Sequence, residues 1–177
     1  MSDFKIKMNN LDDVKKSLDS KSLRVCVIGI GRIGLPTALS FAKSGLQTIG
    51  VDINKKLVDD INLKKFPLKD EPGYENIFND VLEKKLFSAT TKIEDAVNNS
   101  DLILLSLPTP MDKNNMPDYS ALTTVGTKLS EFLNLHSLVI VESTIEPGFI
   151  EDEMISLISK SGRLTVEENF SIGVCPE

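Results

Sequence analysis

Three glycines stand at the end of an apolar run near the start of the chain, spaced as in a phosphate-binding turn. The run is 24–30, and Gly29, Gly31 and Gly34 follow the pattern G-x-G-x-x-G. Such a turn joins a strand to a helix whose first N–H groups face an anion. A second strand pattern ends on Asp52, a carboxylate that can accept hydrogen bonds from an adenosine ribose and repel a 2′-phosphate. The spacing predicts a dinucleotide site that favours NAD over NADP.

Glycines with this spacing also mark ordinary turns, so the surrounding elements decide between the two interpretations. Apolar strand patterns alternate with amphipathic helix patterns along the chain. The predicted strands are 24–30, 47–52, 87–89, 102–107, 138–142 and 170–175, and the predicted helices are 33–44, 55–64, 74–85, 92–98, 118–133 and 149–160. This alternation predicts an α/β fold, a Rossmann-type doubly wound parallel sheet in three layers.

The predicted domain organisation is an N-terminal extension over 1–23 and an NAD-binding domain over 24–177. The extension carries a short helical pattern after Asn10, a plausible N-cap. The chain stops directly after the last strand, so we expect it to be a truncated part of a longer protein.

Composition excludes several classes of partner. The chain of 177 residues has 20 basic and 26 acidic residues, and a net charge of −6 without a basic cluster argues against nucleic acid and anionic membranes. No apolar run is long enough to span a bilayer, and no signal peptide is present, so a cytoplasmic location is expected. No metal-ligand spacing occurs. Cys26 and Cys175 are expected to be buried, inert thiols, and His136 a surface residue.

The loops that follow the later strands carry hydroxyls and carboxylates beside prolines. They are Leu107–Pro110, Glu142–Gly148 and Cys175–Glu177. In open parallel sheets, ligands bind outside the carboxyl ends of the strands, where these loops lie. Each loop alone is compatible with simple turn chemistry.

Together these segments resemble one family, the nucleotide-sugar 6-dehydrogenases, which includes the UDP-glucose, UDP-N-acetylmannosamine and GDP-mannose dehydrogenases. The matching segments are 29–38, 50–54, 71–73, 107–110, 142–144 and 175–177. The sequences Leu-Pro-Thr-Pro, Glu-Ser-Thr and Cys-Pro-Glu are more similar to the UDP-N-acetylhexosamine branch than to the UDP-glucose enzymes.

The resemblance implies oxidation of a UDP-sugar C6 alcohol to the uronate in two NAD-dependent hydride transfers, for polysaccharide or glycan precursor synthesis. The sugar is UDP-N-acetylmannosamine or another UDP-N-acetylhexosamine, and UDP-glucose remains an alternative. It also implies a homodimer for the full-length enzyme. The nucleophilic cysteine, catalytic lysine and asparagine of the family have no counterpart here, so this chain alone is expected to be inactive.

The resemblance also assigns roles to single residues. Thr109 corresponds to the loop beside the nicotinamide half of NAD, and Thr144 and Glu177 to the pair that handles the catalytic water, with Glu177 as general base. The predicted cofactor-binding set is Gly29, Ile30, Gly31, Arg32, Ile33, Gly34, Asp52, Pro108, Thr109 and Thr144. Arg32 replaces a tyrosine usual in the family, and either touches a phosphate or points to solvent.

Two rival functions remain open at this point. A non-catalytic, NAD-sensing Rossmann module has the same fold, but it has no need of a water-handling pair of residues. A β-hydroxyacid dehydrogenase shares the glycine loop and the hydride chemistry, but is expected to lack the segments 71–73 and 175–177.

Overall fold

The computed structural model describes residues 6–71 and 73–176. Its strands are β1 Arg24–Ile28, β2 Gln47–Val51, β3 Phe87–Thr90, β4 Leu102–Leu105, β5 Ser137–Val141 and β6 Phe170–Val174. Its α-helices are α1 Leu11–Asp19, α2 Gly34–Lys43, α3 Lys55–Asn62, α4 Tyr74–Glu83, α5 Ile93–Asn98, α6 Ser120–Phe132 and α7 Ile155–Ser159. No helix in these two stretches has the length and apolar character that crossing a bilayer requires.

The six strands form one parallel sheet in the order β3-β2-β1-β4-β5-β6. The chain runs outward from β1 to β3, returns to the other side of β1, and runs outward again to β6. This strand order is that of the doubly wound dinucleotide-binding sheet. The direction reverses between β1 and β4, and a crevice opens there at the carboxyl ends of the strands. The predicted Rossmann-type fold is confirmed.

Two hydrophobic cores cover the two faces of the sheet, because successive strand residues point to opposite sides. Val25 and Val27 of β1 belong to the core formed with α2, α3 and α4. Cys26 and Ile28 belong to the opposite core, formed with α5, α6 and α7. β4 is buried at all four positions, which is why it reads as a continuous apolar run. These are the three predicted layers.

The helix predicted over 149–160 is not α-helical throughout. Ile150–Met154 forms a π-helical turn, in which the Ile155 N–H donates to the Ile150 carbonyl five residues earlier. The buried residues of this segment are Phe149, Ile150, Met154 and Ile158, and the last three recur every four residues. The wider turn keeps that spacing on the side that faces the core.

The helix of the extension begins as predicted, but its leucines are poorly covered. The Asn10 side chain caps α1 by accepting from the N–H groups of Asp12 and Asp13. Leu11 is 67% exposed, whereas Ser17 is the buried residue of the helix.

The expectation of two buried cysteines is wrong for Cys175. Cys26 lies in the central strand β1 and is fully buried, which raises the pKa of its thiol far above the ordinary range. Cys175 is exposed because it follows β6, an edge strand whose burial declines toward Val174. His136 is also less exposed than expected: its ring is half-buried, and the Nδ1 atom is enclosed.

Candidate cofactor-binding site

A cleft of about 1140 Å³ lies at the carboxyl ends of the central strands, where the strand order reverses. Its walls come from the loops after β1, β2, β4 and β5, from the segment 91–93 after β3 and from α6. The predicted site residues in its lining are Gly29, Gly31, Arg32, Ile33, Asp52, Pro108, Thr109 and Thr144. Four loops distant in sequence are therefore brought to one cavity.

The glycine loop contains two glycines that the protein's own packing requires. Gly29 has φ of +89°, and a Cβ there would lie 2.3 Å from the Ser106 carbonyl oxygen. A Cβ on Gly34 would lie 1.8 Å from the Gly29 carbonyl oxygen. Both positions exclude any side chain: a Cβ at Gly29 would meet the segment after β4, and a Cβ at Gly34 would meet the turn after β1.

Gly31 is different from the other two glycines. A Cβ at Gly31 would meet no heavy atom within 4 Å, and the residue is exposed on the cleft wall. Nothing in the described chain needs a glycine there, so the open space is available to a group from outside. No side chain caps the start of α2 at Ile33, which leaves helix N–H groups free to bind an anion.

Asp52 lies at the end of β2, with its carboxylate held by the main chain. The Ile30 N–H donates to Oδ2 at 3.1 Å, and the Asn54 N–H donates to Oδ1 at 2.9 Å. Each carboxylate oxygen retains further acceptor capacity toward the cleft. The carboxylate is thus oriented before any ligand arrives.

Two members of the predicted cofactor-binding set do not line the cleft. Ile30 is buried, and its side chain would be 2.7 Å from a Cβ on Gly50, so it fills the core above β2. Gly34 is buried in the first turn of α2. Ile30 contributes to the site only through the N–H that holds Asp52.

Arg32 is largely exposed to solvent, and it also forms an ion pair that the sequence did not indicate. Its Nη2 atom pairs with Oε1 of Glu71 at 3.1 Å, and of the two residues only Arg32 lines the cleft. Both side chains are solvent-accessible, with an exposed fraction of 69% for Arg32 and 35% for Glu71. The ion pair joins the glycine loop to the loop at 66–71.

The loops after β4 and β5 are tied together by hydrogen bonds. Thr109 Oγ1 donates to the Thr144 carbonyl at 3.0 Å, and the Leu107 N–H donates to Ser143 Oγ at 2.9 Å. Also in the cleft lining, Ser106 Oγ donates to Oε2 of Glu142. Glu177, predicted to act with Thr144, lies outside the described residues.

This arrangement is matched by a known family. The model of the UDP-glucose/GDP-mannose dehydrogenase family, NAD binding domain, matches residues 23–177. The chain belongs to this family. It is therefore the NAD-binding domain of a dehydrogenase family, and its cofactor is NAD. The open space at Gly31 and the oriented carboxylate of Asp52 fit a dinucleotide with a diphosphate and an unphosphorylated ribose.

Individual relatives are about 30% identical to this domain over the aligned residues. UDP-N-acetyl-D-mannosamine dehydrogenase from Campylobacter jejuni is 34% identical over 161 residues, which cover 87% of this chain and 38% of that protein. UDP-N-acetyl-D-glucosamine 6-dehydrogenase from Salmonella typhi is 28% identical over 155 residues, which cover 88% of this chain and 35% of that protein. The chain thus spans about a third of the length of these relatives.

A solved structure has the same fold. The crystal structure of GDP-mannose dehydrogenase from Pseudomonas aeruginosa superposes with a TM-score of 0.83 at 29% identity, covering 88% of this chain and 36% of that one.

Sequence reasoning gave no role to Ser106 and Glu142, which face each other in the cleft lining. Ser106 had a detectable signal, since it is the polar residue in the apolar run 102–107, directly before a site loop. Glu142 had a signal too, since it is the first residue of the loop 142–148, which carries hydroxyls and carboxylates after a predicted strand. Their proximity depends on the pairing of β4 with β5.

Proposed function

We propose that this chain is the NAD-binding part of an enzyme that oxidises the C6 alcohol of a UDP-N-acetylhexosamine to the carboxylate in two NAD-dependent steps. The relatives named above act on the N-acetylmannosamine and N-acetylglucosamine sugars, which supports this substrate class. The product would serve polysaccharide precursor synthesis in the cytoplasm. We further propose that the UDP-sugar is bound by a part of the enzyme outside this chain, and that the full-length enzyme is a homodimer.

The observation that carries the cofactor assignment is the orientation of Asp52. Two main-chain N–H groups fix its carboxylate at the end of β2. We assign it to the hydroxyls of the adenosine ribose, where its charge also repels a 2′-phosphate. The diphosphate would then cross the open space at Gly31 and meet the uncapped start of α2.

The other end of the dinucleotide is assigned to the loops after β4 and β5. Pro108 and Thr109 would contact the nicotinamide half, and the hydrogen bond from Thr109 to the Thr144 carbonyl would keep the two loops together. Thr144 and Glu177 are proposed to hold and deprotonate the catalytic water. NAD, when bound, accepts the hydride from the substrate carbon.

Calorimetric titration of the 177-residue chain tests the cofactor assignment. NAD⁺ is expected to bind, and NADP⁺ to bind at least roughly 10-fold more weakly, because Asp52 opposes the extra phosphate. Absence of NAD⁺ binding by folded protein, or a preference for NADP⁺, would contradict the proposal.

Turnover assays test the claim that this chain is one part of the enzyme. NAD⁺ together with UDP-N-acetylmannosamine, UDP-N-acetylglucosamine or UDP-glucose is expected to yield no sustained NADH with this chain alone. Continuous NADH production would overturn that claim. A reading frame that continues past Glu177 and encodes a cysteine in a glycine-rich loop would support the enzyme.

A further inference from the structure

Glu142 is a half-buried residue of the cleft lining and lies directly after β5. Its N–H donates to the Leu105 carbonyl at 3.0 Å, which fixes its backbone to β4. Its side chain is half-buried and accepts a hydrogen bond from Ser106 Oγ. Glu142 therefore presents an anchored carboxylate at the β4–β5 end of the site, away from Asp52, which follows β2.

Ser106 is itself fixed by the fold. Its N–H donates to the Ile28 carbonyl at 2.9 Å. Its carbonyl lies against Gly29, and its Cβ would be 3.0 Å from a Cβ on Gly34. Because the glycine loop presses on Ser106 and Ser106 holds Glu142, the carboxylate is positioned by the same packing that forms the turn after β1.

The charges that line the cleft leave Glu142 without an opposite charge. Arg32 is paired with Glu71 at 3.1 Å, and Lys128 with Glu94 at 3.6 Å. Within the described residues, no Lys, Arg or His nitrogen lies within 4.0 Å of the Glu142 carboxylate, whose partner Ser106 is neutral. A cationic ligand group near β4 and β5 would meet an uncompensated carboxylate.

The two redox states of the cofactor differ in charge at the nicotinamide ring, which is positive in NAD⁺ and neutral in NADH. We propose that Glu142, held by Ser106, is a specificity-determining residue that selects the oxidised cofactor by stabilising the charged ring. This inference rests on the proposed function, in which the nicotinamide half lies at the β4–β5 loops.

Such selection would serve an enzyme that reduces two NAD⁺ molecules per substrate. After the first oxidation, NADH must leave and a second NAD⁺ must bind before the reaction can finish. A carboxylate that attracts the positive ring of NAD⁺ but not the neutral ring of NADH favours both the release of NADH and the binding of the second NAD⁺. The attraction acts in a partly solvated site, which limits it to a modest factor.

The ratio of the dissociation constants for NADH and NAD⁺ tests this inference, measured by calorimetry on the 177-residue chain. The substitution Glu142→Gln keeps the shape and the hydrogen bond to Ser106 but removes the charge. We expect the preference for NAD⁺ to fall by roughly 3- to 10-fold, mainly through weaker NAD⁺ binding. Glu142→Asp retains the charge and is expected to retain most of the preference.

Glu146→Gln is the matched control, because Glu146 is an exposed glutamate four residues further on that does not line the cleft. It should leave the ratio unchanged. Equal weakening of both cofactors by Glu142→Gln, or equal ratios in the Gln and Asp variants, would overturn the inference and indicate a merely structural role. Failure of the unsubstituted chain to bind either cofactor would instead overturn the proposed function.

Discussion

Substitution of Gly31 by valine separates the binding role of the glycine loop from its structural role. A Cβ at this position has no heavy atom within 4 Å. We therefore expect the free energy of unfolding to change by less than about 1 kcal/mol. The branched side chain would, however, occupy the space assigned to the diphosphate. NAD⁺ affinity should fall by roughly 100-fold or more, which corresponds to ~2.7 kcal/mol.

Gly29→Ala and Gly34→Ala provide the contrast. A Cβ at Gly29 would lie 2.3 Å from a carbonyl oxygen at a φ of +89°, and a Cβ at Gly34 would lie 1.8 Å from another carbonyl oxygen. Backbone strain and overpacking together predict a loss of about 3 kcal/mol or more in the free energy of unfolding. For a domain of this size, that is a fall of about 10 °C in Tm.

Two measurements on each variant decide the matter: thermal unfolding followed by circular dichroism, and calorimetric titration with NAD⁺. Gly31→Val should unfold near the temperature of the unsubstituted chain and fail to bind. If Gly31→Val folds normally and binds NAD⁺ with unchanged affinity, the loop does not hold the diphosphate. If it unfolds as readily as Gly29→Ala, the reasoning from open space at Gly31 is wrong.

Four further predictions concern single side chains. Asp52→Ala should weaken NAD⁺ binding roughly 10-fold and reduce the discrimination against NADP⁺. If titration shows an unchanged ratio of the NAD⁺ and NADP⁺ affinities, Asp52 is not the ribose ligand. Arg32→Ala should lower the free energy of unfolding by less than about 1 kcal/mol in urea titrations, because the pair with Glu71 is solvent-accessible; a larger loss would mean a stronger contact. Cys175 should react with a thiol reagent in the native protein and Cys26 only after unfolding, so two fast-reacting thiols would contradict the burial of Cys26. Burial raises the pKa of the Cys26 thiol above the ordinary 9.0. The neutral buried thiol therefore contributes its full stabilisation below pH 9, and this contribution decreases as the pH rises further. In the variant Cys26→Ala, the free energy of unfolding should fall less steeply with rising alkaline pH than in the unsubstituted chain.

Local patterns were sufficient for most of the fold. The alternation of strands and helices, the Asn10 cap and the fully buried β4 could all be predicted, because each depends on side chains within one or two turns of one another. The π-helical turn at Ile150–Met154 could not, because the sequence pattern there suits an α-helix equally well. Cys175 was misjudged for a related reason: its apolar neighbours indicate a strand, but not whether that strand lies at the edge of the sheet.

Some parts of the candidate site could likewise be predicted from the sequence, and others could not. The glycine spacing and the position of Asp52 were readable from the sequence, since a strand, turn and helix that bind a diphosphate occupy one continuous segment. The Arg32–Glu71 ion pair and the Ser106–Glu142 hydrogen bond join residues 39 and 36 positions apart. No local preference specifies such pairs.

By itself, the sequence determined that this chain is an alternating α/β domain with a dinucleotide turn, because backbone freedom and hydrophobic periodicity are local properties. Only the tertiary structure decided which glycine faces open space, and that Glu142 lies beside Ser106 without an opposite charge. Those facts depend on the order in which β1, β4 and β5 lie side by side, and that order is fixed by the packing of the whole sheet between its two helical layers.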